Sequence, residues 1–468
     1  MKAGRFVLIV LFLLSLVSFN TSSSKAEAFT AYVSGITMQN LSGSSAEVTV
    51  SYYDQTGSSV TNTTDTIDPY GVKDYATVPT NTGFKGSVVI SSDQQIGAVS
   101  TLRGDNKGRG AYVGYSSGST SISLPILMKN WGSSSWNTWV SVQNVGNEDA
   151  TITMDYAACT GTSDKSVTGV KPYTMVTFNQ ATESCFTNAK VLTSGVITST
   201  QPIVAVVVQE SSIVNSMLVS PGFSSGDTAP VMPLMNSNNP DTTGWRTAIN
   251  VFNNGSSDTD VTMTYINASD GSTCTETQTV PSKSAKTFAG NNLIVGPPAG
   301  VTTSCTIGAR IVGSAYISGN SANQPLMATV NQDRGSLASA YGALYPSSGT
   351  PKVVFPQIQD RNGAASQWAS SFMLMNVSDH TVYVKCTFAN STYAPESGPI
   401  DSYKAWENLQ RGNISAGYVG SGQCTAYTDS SYNTVDSSAK IVAVVNIRGT
   451  GTGLYDLMMS YEGLNVTP

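Results

Sequence analysis

Alternation with a period of two runs through most of the chain. Trp136, Thr138, Val140, Val142 and Asn144 occupy every second position, as do Trp245, Thr247, Ile249, Val251 and Asn253, and again Trp368, Ser370, Phe372, Leu374 and Asn376. Tyr32, Ser34, Ile36, Met38 and Asn40 repeat the pattern nearer the start. One apolar column per segment predicts a strand with one face in a core, placing the three tryptophans inside. Twelve residues beyond each asparagine stands an aromatic residue, Tyr52, Tyr156, Tyr265 or Phe388, which ends a second alternating run. The polar segments between the runs, such as Asn253-Asn254-Gly255-Ser256-Ser257-Asp258, predict hairpin turns.

Further signals recur at similar spacing. An apolar strand is centred on Ala98, Ala205, Ala328 and Ala443, and a closing strand follows with Tyr112, Leu218, Tyr341 and Leu457 as its markers. Leu124-Pro125, Met232-Pro233 and Phe355-Pro356 then open the next copy, and proline suits a first or edge strand because its missing N–H costs no ladder bond there. Four repeats result: 29–122, 123–229, 230–352 and 353–468. Seven or eight short strands in about 110 residues, with no helical period, predict an all-β chain of four tandem antiparallel β-sandwich domains.

The first 28 residues predict a different fate. Lys2 and Arg5 precede an apolar run from Phe6 to Leu14, extended to Phe19 with interruptions only at Ser15 and Ser18, and Ala26-Glu27-Ala28 suits signal peptidase. The expectation is a signal peptide at 1–28, a mature start at Phe29, and no membrane span in the mature chain. A retained anchor helix is the alternative, although the run is short for about 30 Å of hydrocarbon. Removing the leader leaves 21 basic and 29 acidic residues, a net charge of −8 that repels nucleic acid and anionic lipid. Only 12% of residues are charged, so the chain is poor in groups for acid–base chemistry.

The strand spacing and the Trp and Tyr placement resemble the immunoglobulin-like tandem repeats of secreted bacterial surface proteins of the S-layer and adhesin type. The resemblance covers nearly all of the mature chain. It implies a secreted, non-catalytic structural protein of the cell surface, such as an S-layer, sheath or rod-like scaffold, with an adhesin or carbohydrate-binding protein as the alternative. It transfers no catalytic residue and implies no cofactor. The partners it implies are further copies of the chain, other cell-surface components or glycans.

Six cysteines fall two per repeat in the last three copies. Their partition favours Cys159–Cys185, Cys274–Cys305 and Cys386–Cys424, each stabilising its repeat by roughly 3 kcal/mol. An exported chain permits these bridges. Zinc is the competing reading, but it requires close Cys spacings or added histidine, and the chain has one His. Because Cys386 stands where Met154 and Met263 stand in other repeats, its bridge is expected between the sheets.

Candidate chemistry is sparse. A Ser/His/Asp triad would have to use His380, whose setting in Ser378-Asp379-His380-Thr381 predicts a solvated turn. Glu148-Asp149 and Asp258 with Asp260 recur at one position of different repeats and predict turn chemistry rather than a glycosidase pair or a calcium loop. Arg103-Gly104-Asp105 spells an integrin-recognition tripeptide, yet Arg334-Gly335-Ser336 and Arg448-Gly449-Thr450 mark Arg-Gly as a recurring turn. Trp139 alternates away from the apolar column, and Trp131 and Trp406 lie outside it. These three are the candidate ligand contacts, with packing against a neighbouring repeat as the competing reading.

Overall fold

The computed structural model describes residues 7–14, 29–105, 107–159, 165–241, 243–451 and 456–466. The basic start of the expected signal peptide and its expected cleavage motif lie outside them. The fold is all-β, and no helix among the described residues is long and apolar enough to cross a membrane. Two compact units emerge, Met1–Ser224 with Leu454–Asp456, and Ser225–Gly453 with Leu457–Pro468. Each carries two of the four signature strands that end in Asn40, Asn144, Asn253 and Asn376.

The third repeat shows the plan. One sheet places Val231–Ser237, Ile311–Asn320, Thr259–Asn267 and Thr273–Val280 side by side; the other places Ser284–Ala289, Arg246–Asn253, Leu326–Arg334 and Leu337–Gly342. Ile249, Val251, Met263, Tyr265, Ile317 and Val330 pack between them. The second repeat follows the same order, except that Val191–Ser211 runs through both sheets, pairing first with Ser119–Lys129 and Ala150–Tyr156 and then with Asn137–Asn144 and Ser216–Pro221.

The segment after each signature asparagine is an arch and not a hairpin. Arg246–Asn253 and Thr259–Asn267 lie in opposite sheets and do not pair with each other. The alternation on either side looks the same in both cases, so sequence period alone cannot separate them. Asparagine makes the arch workable. Nδ2 of Asn253 donates to the Ser257 carbonyl at 2.8 Å and to the Val280 carbonyl at 3.1 Å, while Oδ1 accepts the Gly255 N–H at 2.8 Å. Asn40 repeats this with Ser44, Ile67 and Ser42, Asn144 with Glu148, Val170 and Gly146, and Asn376 with His380, Ile400 and Ser378. All four side chains are fully buried. Each thereby ties its strand end, the arch and the far sheet together.

The tryptophans are placed differently from the sequence pattern. Trp136, Trp245 and Trp368 precede their strands and are half-buried, exchanging main-chain hydrogen bonds with Trp131, Asn239 and Asn362 respectively. They close the loop that enters the signature strand, and the core column begins with Val140, Ile249 and Phe372. The outward face of these strands is also largely buried, because the other repeat of the same unit covers it.

The lead strand bends at its proline. Its pairing shifts register between Met232 and Met235 and between Phe355 and Ile358, which bracket Pro233 and Pro356. The freed backbone after each proline is held by a closing-strand tyrosine: the Tyr341 hydroxyl donates to the Leu234 carbonyl at 2.5 Å and accepts the Leu234 N–H at 3.3 Å, and Tyr461 does the same for Gln357. Register therefore makes Tyr112, Ser220, Tyr341 and Tyr461 the equivalent closing positions, since they face Ser100, Val207, Val330 and Val445, each two residues past the central alanine. Leu218 and Leu457 do not hold this place.

Replacing Asn253 with Ala strands the buried Val280 carbonyl and Gly255 N–H and frees the Ser257 carbonyl at the edge of the arch. The expected loss is about 2–4 kcal/mol, against less than about 0.5 kcal/mol for Ser256→Ala on the exposed arch surface. Denaturant midpoints of the two variants check this.

Candidate functional site

Within each unit the two repeats meet through the same joint. It starts at the turn that leads into Met175–Asn179 in the second repeat and Ala405–Leu409 in the fourth, where Tyr173 and Tyr403 adopt φ of 63° and 60°. A bulky residue in the left-handed region is disfavoured by about 1–2 kcal/mol, so these turns need support. Their N–H groups donate to the carbonyls of Asn144 and Asn376 at 2.8 and 2.7 Å. Their rings reach the preceding repeat: Tyr173 meets Tyr53 with centroids 5.1 Å apart, and Tyr403 stacks on Tyr316 at 4.4 Å and 14°. Their carbonyls accept hydrogen bonds from equivalent serines, Ser87 Oγ to Tyr173 and Ser314 Oγ to Tyr403.

Apolar faces and a carboxylate, buried Glu210 in one case and half-buried Glu462 in the other, complete each joint. In the first unit Val204, Val206, Val208, Met217 and Val219 of the second repeat share one cluster with Phe29, Tyr32 and Leu102 of the first. Gly110 allows close approach, since a Cβ there would lie 2.1 Å from Val219 Cγ2. Glu210 Oε1, buried at the centre, accepts the Tyr32 hydroxyl at 2.6 Å and the Trp139 indole N–H at 2.7 Å. In the second unit Glu462 Oε1 accepts the Gly342 N–H across the closing strands, and burial pushes its carboxyl up to about 7. Met373 and Val444 of the fourth repeat enter the core cluster of the third.

Other ionisable groups are engaged in holding backbone. Glu276 is buried among the Tyr265 hydroxyl, the Ala289 N–H and Asn292 Nδ2, at 2.6, 2.8 and 2.6 Å. Burial raises its pKa although these three donors draw it back. Asp360 accepts the N–H groups of Gly412 and Ile414. Asp105, the last member of the Arg-Gly-Asp triplet, accepts the N–H groups of Thr30 and Ala31 at 2.8 and 2.7 Å and the Thr30 hydroxyl, so its carboxylate fastens the segment that leads into the first signature strand.

His380 is a bridge rather than a free turn residue. Nδ1 lies 2.8 Å from Asp379 and Nε2 2.8 Å from Asp436, and these hydrogen bonds, that to Asp379 first, raise its pKa. With both ring nitrogens on carboxylates, neither is placed to take a proton from a hydroxyl. Asp149 pairs with Lys171, Asp258 accepts the Ser282 N–H and Asp260 the Thr279 hydroxyl, while Glu148 is approached at 3.5 Å by Gln201 Nε2. Among the described residues no three His, Cys, Asp or Glu side chains are grouped to hold a metal ion.

The three candidate ligand contacts are not brought together. Trp139 is 3% exposed, its ring edge-on to Tyr32 at 5.9 Å, which removes it from any external surface. Trp131 is 39% exposed at one end of the second repeat, and Trp406 packs edge-on against Phe372 at 5.5 Å in the fourth. The cysteines join as Cys159–Cys185, Cys274–Cys305 and Cys386–Cys424, across 26, 31 and 38 positions, worth about 3.5–4 kcal/mol each in chain entropy. Cys386 and Cys424 face each other in adjacent strands of one sheet, so their buried bridge lies within that sheet and not between the two.

Sequence reasoning did not find Glu210, Glu462, Tyr173 or Tyr403. One signal was available: Pro69-Tyr70-Gly71, Pro172-Tyr173-Thr174 and Ser402-Tyr403-Lys404 stand at matching offsets from the signature asparagine, 30, 29 and 27 residues beyond it to the tyrosine.

Glu462 makes the second joint pH-dependent. A carboxyl whose folded pKa is raised from 4.5 to about 7 gives its full stabilising contribution below about pH 4.5, and that contribution is lost as pH rises through 7. The second unit is expected to be more stable at pH 5 than at pH 8 by on the order of 1–3 kcal/mol, and Glu462→Gln to remove most of that difference. Unfolding curves of both proteins at the two pH values measure it.

No family model matches the chain, and no curated protein does. Among solved structures, the crystal structure of Thermotoga maritima 1070 aligns over 25% of this chain and 97% of its own at 19% identity, with a TM-score of 0.20, a level of similarity that carries no argument about function.

Proposed function

We propose that the chain is exported and serves as a non-catalytic structural protein of the cell surface, of the S-layer, sheath or scaffold kind, with paired repeats as its rigid building blocks. The observation that carries this reading is the joint: two units build it from matching residues, Tyr173 with Ser87 and Tyr403 with Ser314. Buried carboxylates that could serve chemistry are engaged in that joint or in loop backbone. Three disulfides suit an oxidising compartment.

One observation favours the adhesive reading. Tyr383 and Tyr427 face each other on the outer side of a fourth-repeat sheet, with Tyr432 edge-on to both and Lys385 above its ring at 5.8 Å. Aromatic rings beside an ion pair, here Lys385 with Glu396 at 2.7 Å, are chemistry that sugars use.

Three variants separate these readings. Tyr403→Ala is expected to reduce ordered assembly or surface retention while disulfides and strand content persist. His380→Ala is expected to leave assembly intact. Loss with the histidine change and tolerance of the tyrosine change would favour a localised active site. A glycan screen in which Tyr427→Ala abolishes binding, with assembly unaffected by Tyr403→Ala, would favour adhesion.

A further inference from the structure

Every repeat has a slot for a lead strand, and in three of them the repeat's own chain fills it. Ser119–Lys129, Val231–Ser237 and Lys352–Asp360 run antiparallel to Val191–Ser211, Ile311–Asn320 and Tyr418–Tyr427. In the first repeat the slot is taken by Val7–Leu14, with Val7 opposite Ser92 and Leu14 opposite Lys85 in unbroken register. That segment lies inside the leader. The sheet order is Val7–Leu14, Lys85–Ser92, Ala46–Asp54, Ser59–Ile67, so leader removal turns Lys85–Ser92 into an edge.

This edge is unguarded. Its sequence, Lys-Gly-Ser-Val-Val-Ile-Ser-Ser, has no proline and a single charge at one end, whereas protected edges carry charges, prolines or bulges. Val88 and Ile90 of the same strand belong to the core of the first repeat, so what covers the edge also completes a core wall. Tyr112 occupies the closing position from which Tyr341 and Tyr461 grip the backbone of their lead strands. The spacing in sequence from lead to signature strand is also distinctive, with 17 residues between Leu14 and Tyr32 against 7 between Lys129 and Asn137. The expected cleavage motif sits in that extra length.

We propose that in the exported chain this slot is a strand-acceptor site, filled by an extended segment of another polypeptide that pairs antiparallel with Lys85–Ser92. The three natural occupants define its chemistry. Leu124-Pro125-Ile126-Leu127, Met232-Pro233-Leu234-Met235 and Phe355-Pro356-Gln357-Ile358 share an apolar residue, proline, any residue and a second apolar residue, with both flanking apolar side chains buried. Main-chain ladder bonds supply affinity and the buried side chains supply selectivity, as in other cases of strand addition. The proposal rests on the reading that residues 1–28 are removed on export.

The test uses the exported protein, with its N-terminus assigned by mass, and a synthetic peptide copying Ser119–Lys129. Hydrogen exchange across Lys85–Ser92 is followed with and without peptide. A second variant carries the same eleven residues fused through a flexible linker ahead of Phe29. The expected result is a start at Phe29, exchange slowed at least about tenfold by the peptide, and loss of peptide binding in the fused variant, whose first repeat is protected unaided. A purified protein whose Lys85–Ser92 is already covered by a strand of a second copy would also support the site. A start at Phe29 with monomeric protein whose Lys85–Ser92 is protected unaided, or with exchange unchanged by both peptide and fusion, overturns the acceptor site alone. Retention of residues 7–14 in the exported protein overturns the export reading and the acceptor site with it.

Discussion

A buried asparagine at the crossing between sheets is the point from which the rest of each repeat is hung. Its amide contributes two donors and one acceptor, and all are used on main-chain groups that a sheet-to-sheet arch would otherwise leave unpaired inside a dry core. Aspartate lacks the donors, leucine lacks everything but volume, and serine cannot span from arch to opposite sheet. The same residue's carbonyl receives the N–H of the turn beyond, Tyr173 above Asn144 and Tyr403 above Asn376. One residue type thus fixes the fold of a sandwich and the place where it meets its neighbour.

That second role explains why the signature strands are more buried than an isolated sandwich would need. A tyrosine held at positive φ costs about 1–2 kcal/mol of backbone energy, and the ring contact with the adjoining repeat offsets it. Around the ring, apolar residues on the outward strand face find a partner surface, and Glu210 or Glu462 sits where the two repeats close. Buried carboxylates at such places are poor sources of stability, but removing one partner leaves the others stranded, which makes the joint specific in geometry.

Much of the fold was legible from spacing alone. The period of two located the strands, the fixed interval from asparagine to aromatic residue aligned the four copies, and the partition of cysteines matches the bridges the structure forms. The limits have physical causes. A hairpin and an arch flank their turn with the same alternation, so only the side-chain hydrogen bonds of Asn253 and its equivalents distinguish them. Large tryptophans at strand entrances looked like core because size and apolarity do not report the last residue before a strand begins. Trp139 lies on the opposite face, yet its partner, Glu210, lies 71 positions away, just beyond the apolar run Ile203–Val208. The joint was invisible because each half of it looks, in sequence, like ordinary strand surface.

The joints and the bridges follow different plans. Tyr173 with Ser87 and Tyr403 with Ser314 correspond position for position, while the first and third repeats carry Tyr70 and Lys283 at the same turn. The first cysteine of each bridge sits differently: Cys159 follows its arch strand, Cys274 faces Tyr265 from the neighbouring strand, and Cys386 lies within the arch strand itself, whereas Cys185 and Cys305 both stand six residues before the strand that pairs with the lead strand. Each unit therefore carries the same non-covalent joint between its two repeats, while the covalent staples act inside single repeats and differ in which strand they hold.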